Sequence, residues 1–410
     1  MSATRQIDVL VVGAGPAGLA AAARLAAAGV ARVEVLDRER QAGGVPRHCF
    51  HGGYGTWLHP LTGPAYAHLL VIAARSAGAV VRTGVTALDW AGPTALHTVG
   101  PQGPETIEAR AVVLATGARE RPRTARLVPG TRPAGVFTTG ELQQAVHLFG
   151  QHIGTRAVVV GAEDVSYAAA ATVRAAGAAV VAMVTDLPLP QTSPARAADA
   201  RLRHGIPLLT DTTVTELLGH GRLSGVRVRH RDGRTVVLPC DTVVFTGDFV
   251  PDHELARRGG LTLDTGTRGP AVDGTLHTSR PGVFAAGSLL HAVESAATAA
   301  REGTHAAGAV LKALDGAQRA VGVSLLVDAP LRWIAPNLVA PTDRLPYVLR
   351  TATPLARKVL RVTQDGRTLH REHLARALPN RTVTLRSGWT HAVDIKGGAV
   401  HVLVEDPRVR

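Results

Sequence analysis

Leu10-Val11-Val12-Gly13-Ala14-Gly15-Pro16-Ala17-Gly18 sets three glycines at the end of an apolar run, and Asp37 follows 24 residues after Gly13. The run Ile7–Val12 predicts a strand, Pro16 to Ala28 an Ala-rich helix, and Arg32–Leu36 a second strand. In such a unit each glycine has a mechanical task. Gly13 permits the tight turn, Gly15 lets backbone approach a pyrophosphate, and Gly18 lets the helix pack closely on the sheet. The helix start offers free N–H groups and a partial positive charge to phosphate oxygens. Asp37 stands where a carboxylate accepts from ribose hydroxyls.

Working outward, the same layout occurs twice. The first copy opens at Val11-Val12-Gly13-Ala14 and closes at Ala111-Val112-Val113-Leu114-Ala115-Thr116-Gly117. The second opens at Val158-Val159-Val160-Gly161-Ala162 and closes at Asp241-Thr242-Val243-Val244-Phe245-Thr246-Gly247. Two such halves imply two dinucleotide-binding-type domains. Ala65–Ala77 reads as a helix, Val80–Val81 as a strand, and Thr86 to Arg110 as a small antiparallel meander. Pro122 to Pro133 reads as a crossing linker, Thr139–Phe149 as a helix, and Ser295 to Leu314 as another. Residues 321–410 alternate in strand-like runs, Val359–Val362, Thr382–Leu385 and Val400–Val404, with turns at Asp365-Gly366 and Gly397-Gly398. The expected fold is α/β. Two Rossmann-like three-layer domains are followed by a small C-terminal all-β domain. The expected boundaries are 1–122 for the first domain, 123–274 for an insert, 275–320 for the return to the first domain, and 321–410 for the β domain.

Composition narrows the function. No apolar run approaches the ~18 residues of a membrane span, so no integral membrane segment is expected. The N-terminus enters its first strand within a few residues, which leaves no room for a signal peptide and predicts a cytoplasmic location. The two cysteines, Cys49 and Cys240, support neither a disulfide framework nor a four-cysteine metal site, and no metal is expected. The net charge of +13 is almost all arginine. It is strongest after residue 320, but the basic residues are dispersed without aromatic interleaving, so no nucleic acid is expected.

Together these residues resemble the flavoproteins with two dinucleotide-binding domains, the pyridine nucleotide–disulfide reductase superfamily, over roughly residues 6–315. The resemblance rests on the first glycine turn with Asp37, the Gly43-Gly44 pair, Ala115-Thr116-Gly117, Thr246-Gly247, and Pro281-Gly282-Val283-Phe284-Ala285-Ala286-Gly287. It implies an FAD domain split by an inserted NAD(P)-type domain, with FAD as cofactor. The FAD-binding residues it implies are Gly13, Gly15, Pro16, Ala17, Gly18, Asp37, Arg38, Gly43, Gly44, Val85, Ala115, Thr116, Gly117, Gly287, Ser288, Glu294, Ser295 and Ala296. The last three begin the helix expected to aim its positive end at the flavin N1–C2 carbonyl. The stretch Gly43-Gly44-Val45-Pro46-Arg47-His48-Cys49 is similar to the FAD-containing subunits of opine oxidase, hydrogen cyanide synthase and dye-linked amino-acid dehydrogenases. The β-rich tail is foreign to the family core.

Three departures from the pattern shape the chemistry. A redox CxxC is absent, so an internal disulfide cannot be the oxidant. Cys49 either acts alone as a thiolate beside Arg47 and His48 or lines the pocket passively. The inserted domain reads Gly161-Ala162-Glu163-Asp164-Val165-Ser166, keeping only its first glycine. Glu163 stands in the slot where backbone meets pyrophosphate, so NAD(P) is the disfavoured second cofactor, although Asp186 occupies a plausible ribose position. Ser288 replaces the usual Asp after Gly287, which weakens one ribityl contact without removing it.

The candidate catalytic residues follow the glycine pair: Arg47, His48, Cys49, His51 and Tyr54. Arg47 suits a substrate carboxylate. A histidine can take the proton when hydride leaves. The alternative is a solvated loop with structural histidines. Three readings of function follow. The first is an FAD-dependent oxidoreductase oxidising a small amine or amino-acid-like substrate by hydride transfer to flavin N5, with electrons going to a non-pyridine acceptor or a partner subunit. The second is a non-catalytic electron-relay subunit. The third is an NAD(P)H-dependent flavin reductase or single-cysteine peroxidase. Small-molecule substrate apart, the expected partner is another subunit or a second copy of the chain.

Overall fold

The computed structural model describes residues 3–56, 58–292 and 294–407. Its helices are α1 (Pro16–Ala27), α2 (Gly63–Ser76), α3 (Thr139–His147), α4 (Asp164–Ala175), α5 (Pro194–Leu202), α6 (Glu254–Arg258) and α7 (Ala296–Leu314). Two compact units divide the chain. One comprises Met1–Arg47, Gly53–Ala118 and Val250–Arg410, the other His48–Gly52 and Arg119–Phe249.

The first unit is built on a seven-stranded sheet. Strand Ala3–Val12 lies between Val33–Asp37 and Gly103–Leu114, parallel to both, and Val80–Thr83 extends the sheet beyond Val33–Asp37. Val283–Ala285 adds a parallel strand against Val112–Leu114. The central strands are near-continuous apolar runs because both faces of the sheet are buried. Val9, Val11, Val33 and Val35 pack toward α1 in one apolar core, while Leu10, Val112 and Leu114 face the other. The meander runs Thr86–Trp90, Ala95–Gly100 and the first half of Gly103–Leu114, all antiparallel. Residues 250–274, placed by the sequence with the insert, contribute Leu255, Ala256, Leu261 and Val272 to the first unit's core.

The second unit repeats the plan. Five parallel strands run in the order Val136–Thr138, Thr242–Phe245, Arg156–Val160, Ala179–Val184 and Leu208–Leu209. A three-stranded antiparallel meander, Thr212–His220, Arg222–His230 and Thr235–Pro239, completes it. Helix α3 starts at a reciprocal capping box between Thr138 and Glu141, which satisfies two otherwise orphaned N–H groups.

After α7 the chain forms two further sheets. One is ordered Leu338–Val339, Val323–Val327, Val400–Glu405, Leu355–Gln364, Arg367–Ala377; the other Leu331–Ala335, Tyr347–Thr351, Val383–Leu385. Leu325, Leu349, Leu360, Val362, Leu385 and Val402 fill one shared core. The hairpin Leu355–Gln364 to Arg367–Ala377 turns at Asp365-Gly366, both at positive φ, the signature of a two-residue primed turn. The molecule is thus α/β, two dinucleotide-binding domains with a β-rich C-terminal domain.

Candidate functional site

The glycine turn of the first unit is a place where backbones touch. Gly13 has φ +109°, and a Cβ there would lie 2.2 Å from the Ala115 carbonyl oxygen. A Cβ on Gly18 would stand 1.9 Å from the Gly13 carbonyl oxygen. Gly15 is the opposite case. It N-caps α1 in extended conformation, and the nearest atom a Cβ would meet is Gly44 Cα at 4.0 Å. Helix α1 then begins with Pro16, with neither a side-chain cap nor an acidic residue in its first turn. Its start therefore offers N–H groups and positive potential to an open space. Gly43 N donates to Ala14 O at 2.8 Å, and Gly44, at φ +64°, brings the second glycine pair against Gly15.

Around this cradle the candidate residues take definite positions. Asp37 Oδ2 accepts from Ala14 N and Oδ1 from Glu39 N, both at 2.8 Å, so each oxygen keeps a lone pair. Burial raises the Asp37 pKa above the ordinary carboxylate value, opposed by those two N–H bonds. Arg38 leans 3.4 Å from Asp252, and Val85 N ties the buried Val85 to the Asp37 carbonyl. Thr116 donates to Asp252 O at 2.8 Å, and Asp252 N donates to Gly117 O. Nothing stands within 4 Å of a Cβ built on Gly117.

At the far end Gly287, at φ +76°, would press a Cβ to 2.7 Å from that of Ala17, and a Cβ on Gly303 of α7 would lie 1.9 Å from the Ala17 carbonyl oxygen. Ser288 lies in the short 3-10 turn that follows Gly287. Ser295 N-caps α7, accepting from Thr298 N at 3.1 Å, and Ala296 is the first helical residue.

The sequence does not announce what braces this end. Glu302 sits on the buried stripe of α7 with Ala299, Gly303, Ala306 and Val310. One of its oxygens accepts from Gly287 N at 2.9 Å, the other lies 2.8 Å from His291 Nε2. A charged residue in line with an apolar helical stripe is the signal that could have revealed it. Burial pushes the His291 pKa down, but the Glu302 carboxylate and its hydrogen bond outweigh this and the net shift is upward. The stability from this raised pKa is fully present below the unfolded value of about 6.5 and is lost as pH rises through the folded pKa. Urea unfolding of wild type and His291→Gln should therefore differ more at pH 6 than at pH 9. An equal difference at both pH values would refute the pairing.

The loop after the glycine pair is divided between the units. Arg47 and Tyr54 belong to the first. Arg47 Nη1 donates to Gln41 O at 2.7 Å and Nη2 lies 3.8 Å from Glu39, so a substrate carboxylate would compete with Glu39 for it. Tyr54 packs on Tyr66, ring centres 5.6 Å apart. His48, Cys49 and His51 belong to the second unit. His48 and Cys49 are buried, and Cys49 Sγ donates to Gln143 Oε1 at 3.3 Å. His51 Nδ1 contacts the Gly52 carbonyl at 2.7 Å.

The second unit's own turn is filled. Gly161 repeats Gly13, since a Cβ there would lie 2.2 Å from Thr246 Oγ1. Glu163 N-caps α4, its N–H donating to Ser166 Oγ at 3.0 Å, and Ser166 Oγ meets Thr246 Oγ1 at 2.6 Å. The buried Glu163 carboxylate lies on Gly247, where a Cβ would meet its Oε1 at 2.4 Å. Gly247 is the counterpart of the open Gly117. Asp186 is exposed, two residues beyond strand Ala179–Val184.

Two sheets with parallel cores, each entered through a glycine turn and one with an open cradle at its helix start, define a dinucleotide-binding class of fold. The family model for pyridine nucleotide-disulphide oxidoreductases matches residues 7–303, and the chain belongs to that family. It is 32% identical over 285 residues to the alpha subunit of sarcosine oxidase from Corynebacterium sp. (strain U-96), covering 63% of this chain and 28% of that one. It is 29% identical over 318 residues to an opine oxidase subunit of Agrobacterium tumefaciens (strain Ach5), covering 68% of this chain and 60% of that one. The chain therefore spans less than two thirds of either relative. The crystal structure of T. acidophilum thioredoxin reductase superposes with a TM-score of 0.65 at 25% identity, covering 75% of this chain and 99% of that one. The family is one of FAD-dependent oxidoreductases, some of which also use NAD(P). The open space at Gly15 and the clear Gly117 turn fit FAD. Among the described residues no helix is long and apolar enough to cross a membrane.

Proposed function

We propose that this chain oxidises a small amine or amino-acid-like substrate and hands the electrons to a non-pyridine acceptor, a carrier on a partner subunit. The observation that carries the reading is the contrast between the open turn at Gly117 and the turn at Gly247, where the Glu163 carboxylate lies in place of a pyrophosphate. A second dinucleotide would meet a buried carboxyl group there. Cys49 and Cys240 are both buried thiols outside any disulfide, which leaves no internal disulfide as oxidant. The relatives named as sarcosine and opine oxidase subunits support a secondary amine as substrate.

Bound FAD supplies the hydride acceptor, at N5. The substrate carbon gives up a hydride and its nitrogen a proton, leaving an imine; the electron pair passes on to the acceptor. Gly15, Gly44 and Asp37 hold the adenosine pyrophosphate end, and Ser288 with Ser295–Ala296 holds the flavin end. His48 takes the proton, with His51 and Tyr54 as further polar groups of the same loop. Arg47 orients the substrate carboxylate, drawn off Glu39.

Anaerobic titration tests this. Flavin absorbance should bleach with sarcosine, an opine or another secondary amino acid, and only poorly with NADH or NADPH. Rapid bleaching at micromolar NAD(P)H would overturn the acceptor assignment. Any residual pyridine nucleotide reaction should favour NADH, because Asp186 repels a 2′-phosphate. A second reading is favoured by the word subunit in the relatives' names: the chain relays electrons from a substrate site on another polypeptide. Bleaching by an amine without any added partner would reject it.

A further inference from the structure

The β-rich C-terminal domain reaches back to the start of α7. Arg350, on strand Tyr347–Thr351, is 3% exposed and places Nη2 2.5 Å from Glu294 Oε1. Its guanidinium lies 5.2 Å from the ring centre of Trp333, which stacks on His291 at 5.8 Å. Thr382 Oγ1 is 2.9 Å from both Glu294 oxygens. The Glu294 carboxylate, two residues before α7, is thus enclosed by side chains from beyond residue 303, where the family match ends. A carboxylate buried without a partner is strongly disfavoured, and its charge would offset the positive end of the helix beside it. Arg350 answers both problems at once, since it neutralises Glu294 and holds its carboxylate in place.

We propose that Arg350 is a positioning residue for the flavin, through which the C-terminal domain sets the local charge and order of the Glu294–Ala296 segment. This rests on the reading of Glu294, Ser295 and Ala296 as flavin-facing. The positive end of α7 then favours reduced flavin only while Glu294 is held and neutralised. Removing the cation leaves a net negative group there; removing the carboxylate leaves a net positive one.

The experiment is a dye-coupled redox titration of the holoprotein, with hydrogen exchange followed at amides 294–298 in the presence and absence of flavin. Arg350→Gln should shift the equilibrium at least tenfold toward oxidised flavin, about 30 mV for a two-electron couple. Arg350→Lys should keep most of the wild-type potential. Glu294→Gln should move the potential in the opposite direction. Exchange at 294–298 should quicken in Arg350→Gln even without flavin. If Arg350→Gln fails to fold, Glu294→Gln and the milder Thr382→Val decide the matter. Potentials and exchange unchanged in these variants would overturn the inference. A wild-type protein carrying no FAD would instead remove the reading beneath it.

Discussion

Gly15→Glu should purify as a folded but colourless protein. The wild-type protein should be yellow and release FAD, not FMN, on denaturation. The substituted position has room, since a Cβ there meets nothing nearer than Gly44 Cα at 4.0 Å, so the fold tolerates the change. What the new side chain takes is the space and the positive potential at the start of α1, and it brings a charge of the same sign as the phosphates. FAD retention should fall on the order of 10²-fold or more, roughly 3 kcal/mol. Flavin content and far-ultraviolet circular dichroism, read together, separate loss of cofactor from loss of fold. Release of FMN alone from wild type, or a yellow Gly15→Glu protein, would defeat the assignment.

Cys49→Ser should leave FAD bound and alter turnover only modestly, whereas Arg47→Ala and His48→Ala should each lower it by ~10²-fold or more. Cys49 is buried and donates to Gln143, a bond that a serine hydroxyl can also make. Reactive thiols occupy exposed electropositive settings, and this one does not. Arg47 has two tasks, bracing its own loop through Gln41 and meeting a substrate carboxylate, so its removal should raise KM as well as lower kcat. Steady-state rates with a substrate that bleaches the flavin measure all three variants. Complete loss of activity in Cys49→Ser, with the other two near normal, would reverse the assignment toward a single-cysteine mechanism.

What was legible in the sequence was what sterics dictate locally. The turn at Gly13–Gly18 reads directly because backbones meet at Gly13 and Gly18, where only glycine fits. Asp365-Gly366 reads as a hairpin because both positions need positive φ. The doubled architecture was visible as two apolar strands running into Thr-Gly. The meander Thr212–Pro239 was not read, although it carries period-two alternation, because Gly219 and Gly225 interrupt the pattern. The packing of residues 250–274 against the first core depends on Leu255, Leu261 and Val272 finding partners far away in the chain. The same limit hid the Glu294–Arg350 pair, whose members stand 56 residues apart on different domains. Glu163 reads in the sequence as an obstacle at the second turn, but where its carboxylate goes, onto Gly247, is a tertiary fact.

The first unit's sheet draws Val283–Ala285 in beside Gly103–Leu114, and α7 lies against α1 with Gly303 at the Ala17 carbonyl. That arrangement orders events at the ribosome. The second unit has every strand of its parallel sheet in hand once Phe245 has emerged, so its widest pairing, Val136 to Val243, waits on nothing made later. The first unit, begun earliest, stays open at one edge of its sheet and along one face of α1 until nearly two hundred further residues are made. Its nucleus must then form by long-range closure, the slow kind. Nascent chains arrested before residue 283 should therefore expose the apolar face of α1 and be the species that chaperones hold, while the younger insert is already native.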